Sequence, residues 1–152
     1  FAVVLVRILF GESYGDSIYL LCIYTAAGAI LGHNFPFYMG FKGGKGIAAT
    51  AGFVLSFHPT FIPVGILLFF GTFFLTHYVS LGSLLVYVGF MTQLIISGQC
   101  GLFGSMTSAE LIEMYIVGFL LAVMAFWKHR ENIKRLLRGE ERKTYLSKKN
   151  RE

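Results

Sequence analysis

Residues 81–97 read LGSLLVYVGFMTQLIIS, a run without a single charged side chain. A transmembrane helix needs roughly 20 predominantly apolar residues, and this run is nearly that long. Four further apolar segments lie at residues 17–31, 47–58, 61–76 and 110–127. We therefore predict an all-α, polytopic integral membrane helix bundle with about five spanning segments. The short segment 47–58 leaves three possibilities open: a tilted span, a helix buried among the others, or a re-entrant segment.

Composition agrees with a membrane protein. Hydrophobic residues make up 55% and charged residues 14% of the 152 residues, whereas about 25% are charged in an average soluble domain. Residues 1–10 resemble the second half of a spanning helix, so we expect the chain to be a fragment with a partial first helix. The two cysteines, Cys22 and Cys100, suggest neither a zinc site nor a disulfide framework. We expect neither a metal nor a cofactor.

The charge divides the chain into two parts. Residues 1–127 carry almost no net charge, whereas residues 128–152 hold most of the lysines and arginines behind the formal charge of +5. We therefore predict a transmembrane bundle over 1–127 and a basic cytoplasmic helix and tail over 128–152. Such a distribution argues for the lipid bilayer as the partner and against nucleic acid. No obligate protein partner is implied.

The positive-inside rule also predicts which loops share a face. If the basic tail is cytoplasmic and each apolar segment crosses once, three polar segments meet on the cytoplasmic side. These are residues 32–46, 77–80 and 129 onward. The three loops assigned to the outside, at residues 11–16, 58–59 and 98–108, contain no lysine or arginine. If 47–58 is re-entrant, the assignment upstream of it reverses.

The loop at 32–46 contains the run FKGGKG at residues 41–46. Closely spaced glycines allow several backbone N–H groups to point at one anion, and a following helix N-terminus strengthens such a nest. The spacing of a Walker A motif is absent, which argues against nucleotide hydrolysis. A flexible cytoplasmic loop whose lysines merely follow the charge rule is an equally good interpretation. The candidate phosphate-binding residues are Lys42, Gly43, Gly44, Lys45 and Gly46.

The tail begins KHRENIKRLLRG at residues 128–139. Helical spacing places His129, Asn132, Ile133 and Leu136 on one side, and Gly139 is a plausible C-cap. Composition alone favours a helix lying on the membrane surface with its basic residues toward lipid phosphates. A histidine and an asparagine on the inner side are better suited to chemistry, as a base and as a donor to an oxyanion.

These stretches resemble a known family. The runs GHNFP at 32–36 and FKGGKG at 41–46, then HRENI at 129–133, RLL at 135–137, Gly139 and Glu141, are similar to two of the three signature motifs of the bacterial PlsY family. The run THYVSL at 76–81 also resembles that family, with a histidine where an arginine is expected. The family's first motif precedes the position where this chain begins, so the resemblance leaves open whether the chain alone is active.

The resemblance implies a membrane acyltransferase that moves an acyl group from acyl phosphate to the 1-hydroxyl of sn-glycerol 3-phosphate. The products are lysophosphatidic acid and phosphate, used in phospholipid synthesis. It implies that His129 and Asn132 act on the attacking hydroxyl and that Ser80 joins the glycine loop in binding phosphate, although Ser80 could instead cap a helix. Supporting roles fall to His33, Arg130, Glu131 and Glu141.

The implied location is a bacterial plasma membrane, with several passes and a cytoplasmic C-terminus. Two alternatives come from other classes of protein. A small-solute transporter would use glycine-rich broken helices and a site near the middle of the membrane. A non-enzymatic scaffold would use the basic tail to bind lipid. The apolar segments carry few charges and the polar segments collect at one face, which favours the acyltransferase.

Overall fold

The computed structural model describes residues 1–145, and all regular secondary structure in this range is helical. Each apolar segment forms a helix close to its predicted position, so the all-α prediction is confirmed. Three segments are long and apolar enough to cross a membrane: Ala2–Met39, which is broken at Gly15–Ser17, then Val79–Gln99 and Ser108–Lys128. The α-helices of the described residues are α1 Ala2–Tyr14, α2 Ile18–Asn34, α3 Ile47–Phe57, α4 Phe61–Thr76, α5 Val79–Gln99, α6 Ser108–Lys128 and α7 Arg130–Arg138.

Local chemistry sets the ends of the last two helices. At the start of α6, the Thr107 side chain accepts a hydrogen bond from the Glu110 N–H while the Glu110 carboxylate accepts one from the Thr107 N–H, which is a capping box. Helix α7 ends where Gly139 adopts a left-handed conformation with φ of 70°. The Glu140 N–H then donates to the Arg135 carbonyl at 2.8 Å. The predicted C-cap is therefore confirmed.

Aromatic side chains hold one end of the bundle together. The Tyr19 ring of α2 lies 4.9 Å from the ring of Phe103, which belongs to the loop between α5 and α6. Phe57, at the end of α3, packs against both rings. In addition, Asp16 accepts hydrogen bonds from the backbone N–H and the hydroxyl of Ser105, each at 2.8 Å. The three loops assigned to the outside thus gather at one end.

Helix α3 is short, and the backbone carbonyl groups at its C-terminal end need hydrogen-bond donors inside the bundle. Its 11 residues span about 16 Å, roughly half the thickness of a hydrocarbon core. The Arg7 guanidinium of α1 donates a hydrogen bond to the Phe57 carbonyl, which has no intrahelical partner. Helix α3 passes from the glycine loop to the aromatic end without turning back, which favours a single crossing for this segment, and the order of the loops upstream of it stays a prediction.

Polar groups gather at the opposite end. Lys128 donates to the Asn34 carbonyl at 2.9 Å, which joins α6 to the end of α2. The Thr144 N–H donates to the His77 carbonyl at 2.8 Å, which fastens the chain after α7 to the turn between α4 and α5. The predicted meeting of the segments 32–46, 77–80 and 129 onward at one end of the bundle is therefore confirmed.

Candidate active site

The tail turns inward as soon as α6 ends. His129 lies between α6 and α7 and is 0% exposed, and Asn132, one turn later, is 6% exposed. Leu137, on the opposite side of α7, is 84% exposed. The helical spacing predicted that His129 and Asn132 share a face, and the structure directs that face into the protein rather than along a surface.

A chain of hydrogen bonds links the three polar segments. The Lys45 ammonium donates to Asn132 Oδ1 at 2.6 Å, and Asn132 Nδ2 donates to Glu141 Oε1 at 2.7 Å. The Ser80 hydroxyl donates to the same Glu141 oxygen at 2.7 Å. Arg135 Nε donates to Glu141 Oε2 at 2.8 Å. We call Lys45, Asn132, Glu141, Ser80 and Arg135 the polar cluster.

Glu141 is the centre of the polar cluster and is ionised there. Burial by itself would raise the pKa of this carboxyl, but hydrogen bonds from Asn132, Ser80 and Arg135, together with the Arg135 charge, lower it below its usual range. An ionised carboxylate can accept all of these bonds at once. The resemblance implied only a supporting role for Glu141. In the structure its carboxylate connects α5 to α7, because it binds Ser80 of α5 and both Asn132 and Arg135 of α7. Ser80 is engaged by Glu141 rather than capping α5, whose N-cap is Tyr78.

The His129 ring presents a bare nitrogen to the interior. Its Nδ1 lies 2.8 Å from the Ala125 carbonyl, which can only accept, so Nδ1 carries the proton. Burial lowers the pKa of His129, as does the Lys45 charge, although the Ala125 bond and Glu141 oppose them. The ring is therefore neutral near pH 7, and Nε2 has a free lone pair. Among the described residues Nε2 is buried without a hydrogen-bond partner.

The glycine loop packs tightly on the end of α2. The Gly43 N–H donates to the Asn34 carbonyl at 3.2 Å. A Cβ on Gly43 would lie 2.2 Å from the His33 carbonyl oxygen, and one on Gly46 would lie 2.8 Å from Asn34 Oδ1. Gly46 also has a positive φ of 79°. These glycines are required by close backbone approach as well as by any role in anion binding.

This packing changes the prediction for the phosphate nest. The Gly43 N–H is bound to Asn34 in this conformation, so binding of phosphate by this group would require that bond to break, and the role of Gly43 stays a prediction. Within the described range, the N–H groups of Gly44, Lys45 and Gly46 make no such bond. Since Gly46 is the N-cap of α3, these groups lie where a helix N-terminus attracts anions.

Sequence reasoning missed two residues beside this loop. Asn34 is 0% exposed, and its side-chain oxygen is buried without a hydrogen-bond partner among the described residues. Lys128 binds the Asn34 carbonyl, and its ammonium lies 4.0 Å from the centre of the Phe35 ring. Asn34 belongs to the GHNFP run, although no role was predicted for it. Lys128 resembles the other basic residues of the tail, and no sequence pattern distinguishes it from them.

Besides His129 and the loop glycines, four further sequence candidates lie outside the polar cluster. Lys42 is exposed on the glycine loop, and the His33 ring packs against Gly44. On α7, Arg130 stacks on the Trp127 ring. Glu131 pairs with Lys134 at 3.2 Å on the exposed side. Arg130 and Glu131 thus stabilise the outer surface of α7 and do not reach Lys45 or His129.

The comparisons with known proteins agree with this arrangement. The sequence profile of a family described as "Glycerol-3-phosphate acyltransferase" matches residues 1–139. A glycerol-3-phosphate acyltransferase of Mycoplasmopsis synoviae is 36% identical over 97% of this chain and 68% of its own length. One from Staphylococcus saprophyticus is 39% identical over 78% of this chain and 53% of its own length. The chain thus spans about half to two thirds of the curated relatives it matches.

A solved structure has the same fold. The crystal structure of PlsY (YgiH), an integral membrane glycerol 3-phosphate acyltransferase in its glycerol 3-phosphate form, superimposes with a TM-score of 0.73 and 28% sequence identity. The superposition covers 90% of this chain and 62% of that one. A lysophosphatidic acid form of that protein matches equally well. This chain therefore belongs to the glycerol-3-phosphate acyltransferase family.

Proposed function

We propose that the polar cluster and His129 transfer an acyl group from an acyl phosphate to the 1-hydroxyl of sn-glycerol 3-phosphate. The products are lysophosphatidic acid and inorganic phosphate. The observation that carries the proposal is the bare Nε2 of His129, a buried proton acceptor within electrostatic reach of Lys45 and Glu141. Such an acceptor suits the proton of an attacking hydroxyl.

Both substrates carry phosphate, so the site must hold anions. The Lys45 ammonium and the N–H groups of Gly44 and Gly46 provide charge and donors at the start of α3. Asn132 fixes the Lys45 side chain, and Glu141 in turn fixes Asn132. Because these donors are held in place before a substrate arrives, little reorganisation is needed as charge develops on the reacting carbonyl.

The transfer can proceed in one displacement. The side chains around His129 must part in the substrate complex, because Nε2 is buried; the 1-hydroxyl then donates a hydrogen bond to Nε2, and its oxygen attacks the acyl carbonyl carbon. The new ester C–O bond forms as the bond from the carbonyl carbon to the phosphate oxygen breaks, and phosphate leaves with that electron pair. The hydroxyl proton passes to Nε2 or to an oxygen of the substrate phosphate. An acyl phosphate is an activated anhydride, so positioning can supply much of the rate without a covalent enzyme intermediate.

We infer that the site faces the cytoplasm of a bacterial cell whose plasma membrane holds the bundle. The support is the distribution of charge, since every described lysine and arginine except Arg7 belongs to a segment at the end that holds the polar cluster. The positive-inside rule places such an end in the cytoplasm.

The experiment uses the protein in lipid nanodiscs with palmitoyl phosphate and glycerol 3-phosphate, with lysophosphatidic acid measured by mass spectrometry. We expect His129→Ala to lower its formation about a hundredfold or more, the usual contribution of a general base. The matched control is His58→Ala, because His58 lies at the aromatic end of the bundle. The proposal would be overturned if the unmodified protein formed no lysophosphatidic acid and also showed no saturable binding of glycerol 3-phosphate.

A further inference from the structure

After α7 the chain returns to the bundle and lies over the turn between α4 and α5. We call residues 140–145, which have no regular secondary structure, the strap. The Thr144 N–H donates to the His77 carbonyl at 2.8 Å, and the centre of the Tyr145 ring lies 4.7 Å from that of the His77 ring. The Lys143 ammonium lies 6.0 Å from the centre of the Tyr78 ring. The end of the strap is thus fastened to the turn by backbone and side-chain contacts together.

Within the strap, Glu141 points inward while its neighbours face outward. The Glu141 side chain is 6% exposed, whereas Arg142 and Lys143 are exposed. The Glu141 carboxylate joins Ser80 of α5 to Asn132 of α7. The strap therefore carries the central member of the polar cluster, and a movement of the strap would displace that carboxylate.

His77 has a backbone conformation that residues other than glycine seldom adopt. Its φ of 61° and ψ of 16° lie in the left-handed region, and its N–H donates to the Phe73 carbonyl at 2.7 Å to end α4. Glycine is the usual residue at such a helix end, because it has no Cβ to clash with the backbone. A strained residue beside a functional site points to a use for its side chain. The aromatic contact that the His77 ring makes with the strap is the one to Tyr145.

The strap has an anchor at each end. At its start, the Glu140 N–H donates to the Arg135 carbonyl at 2.8 Å. At its other end, the chain is fastened to His77. Glu141 lies between the two anchors, so loss of the second anchor would let its carboxylate move away from Asn132.

We propose that His77 and Tyr145 are positioning residues for acyl transfer, because their ring contact holds Glu141 in the polar cluster. Glu141 fixes Asn132, and Asn132 in turn orients the Lys45 ammonium. The two rings thus act on the phosphate-binding groups through the strap and not on the substrate itself. Loosening the strap should weaken the binding of glycerol 3-phosphate more than it slows the chemical step. This inference rests on the proposed function, since it concerns the groups that the proposed function assigns to substrate phosphate.

The test compares Tyr145→Ala and Tyr145→Phe with the unmodified protein in nanodiscs. Hydrogen exchange followed by mass spectrometry reports the Thr144 N–H, kinetics with palmitoyl phosphate report KM and kcat, and calorimetry reports the Kd for glycerol 3-phosphate. In Tyr145→Ala we expect faster exchange at Thr144. The KM and the Kd should rise about two- to tenfold, the range that one aromatic pair supports, while kcat stays within about twofold. Tyr145→Phe keeps the ring and should restore all of these values.

A second variant, His77→Asn, separates positioning from stability. Asparagine is accepted at left-handed helix ends, so the end of α4 and the melting temperature should be retained while the ring is lost. The KM for glycerol 3-phosphate should rise as in Tyr145→Ala. The double variant should be no worse than either single one, because the two rings form one contact and their losses are not additive.

The matched control is Tyr14→Ala, because Tyr14 is 51% exposed at the other end of the bundle and also forms an aromatic pair, with Phe10. It should leave the exchange at Thr144 and the KM unaltered. An unaltered KM in Tyr145→Ala would overturn the proposal, and so would a lowered KM, which would mean that the strap obstructs the site. Hydrogen exchange and the Kd do not need turnover. An unmodified protein that forms no product, with faster exchange and weaker binding in Tyr145→Ala, would therefore contradict the proposed function alone.

Discussion

The Lys45 ammonium donates a hydrogen bond of 2.6 Å to the side-chain oxygen of Asn132, 87 residues away. This bond joins the glycine loop to α7. The Asn132 nitrogen donates to the ionised carboxylate of Glu141, so the amide has its oxygen toward Lys45 and its nitrogen toward Glu141. The position of the Lys45 ammonium group therefore depends on Asn132, which lies near the other end of the chain.

Replacing Lys45 with methionine should weaken phosphate binding. The substitution keeps a long apolar stem and removes the charge, so the KM for glycerol 3-phosphate should rise about tenfold or more, since a hydrogen bond to a charged group contributes about 1.5–3 kcal/mol. The measurement is steady-state kinetics with each substrate varied in turn. Lys134→Met is the control, because Lys134 pairs with Glu131 on the exposed side of α7. An unaltered KM for both substrates in Lys45→Met would remove Lys45 from the phosphate site.

The sequence predicted the bundle well because membrane burial leaves a strong signal. Long apolar runs specify helices in a bilayer, where backbone groups must bond within their own segment. The unequal distribution of charge then predicted which loops meet. The glycine at 139 also marked the end of α7, since a left-handed residue commonly ends a helix.

The sequence did not predict the individual hydrogen bonds of the site. Lys128 bonds to the Asn34 carbonyl 94 residues away, and no local pattern encodes such a pairing. Glu141 looked like one of several acidic residues near the end of the tail, although it binds both Ser80 and Asn132. The Gly43 N–H was expected to be free and is bound to Asn34. Contacts of this kind depend on tertiary packing rather than on periodicity.

The lowered pKa of His129 predicts a specific pH dependence. Burial makes protonation harder in the folded protein than the ordinary imidazole value of 6.5 would imply. The unfolded chain therefore binds the proton first as the pH falls, and the folded state loses stability from about pH 6.5 downward. Above that range this contribution is fully present. Activity that needs the neutral ring should persist to a lower pH than an exposed histidine would allow.

Melting temperatures measured against pH in detergent check this prediction. The His129→Gln variant should have a shallower decline just below pH 6.5, because it has no imidazole to protonate. The lowered pKa of Glu141 affects a more acidic range, since its ordinary value is 4.5. A decline of the same steepness in the variant and the unmodified protein would show that His129 is not the group responsible.

The orientation of the bundle can be tested with a native cysteine. Cys100 is exposed in the loop at the aromatic end, whereas Cys22 is buried. A membrane-impermeant maleimide should label Cys100 in intact cells. In a Cys100→Ser background, Arg138→Cys should be labelled after permeabilisation and not before. The reverse pattern would place the candidate active site outside the cell.

Gly43→Ala should destabilise the loop on steric grounds. The new Cβ would lie 2.2 Å from the His33 carbonyl oxygen and 2.5 Å from Pro36 Cδ, and overpacking of this kind costs about 1–3 kcal/mol. We expect weaker glycerol 3-phosphate binding, measured by calorimetry, and faster proteolysis within the loop. Gly28→Ala is the control, because a Cβ there meets nothing within 4 Å. Equal proteolysis rates in the two variants would exclude the steric explanation.

Lys128 should act as a positioning residue for the glycine loop. Its ammonium binds the Asn34 carbonyl and lies over the Phe35 ring, while the next residue in the chain is His129. Lys128→Met would remove both contacts and let the loop move relative to His129. We expect the KM for glycerol 3-phosphate to rise about tenfold, as for the loss of a charged hydrogen bond, with the melting temperature close to that of the unmodified protein.

A conservative variant separates positioning from general stability. Lys128→Arg keeps the charge and the stacking on Phe35, so it should recover part of the lost affinity. If Lys128 merely stabilised the bundle, Lys128→Met would lower the melting temperature and leave the KM unaltered. If both variants raise the KM equally, a charge at this position is not sufficient to hold the loop. Kinetics and thermal melting of the three proteins under one set of conditions distinguish these outcomes, because the loop contact acts on substrate binding whereas bundle packing acts on unfolding.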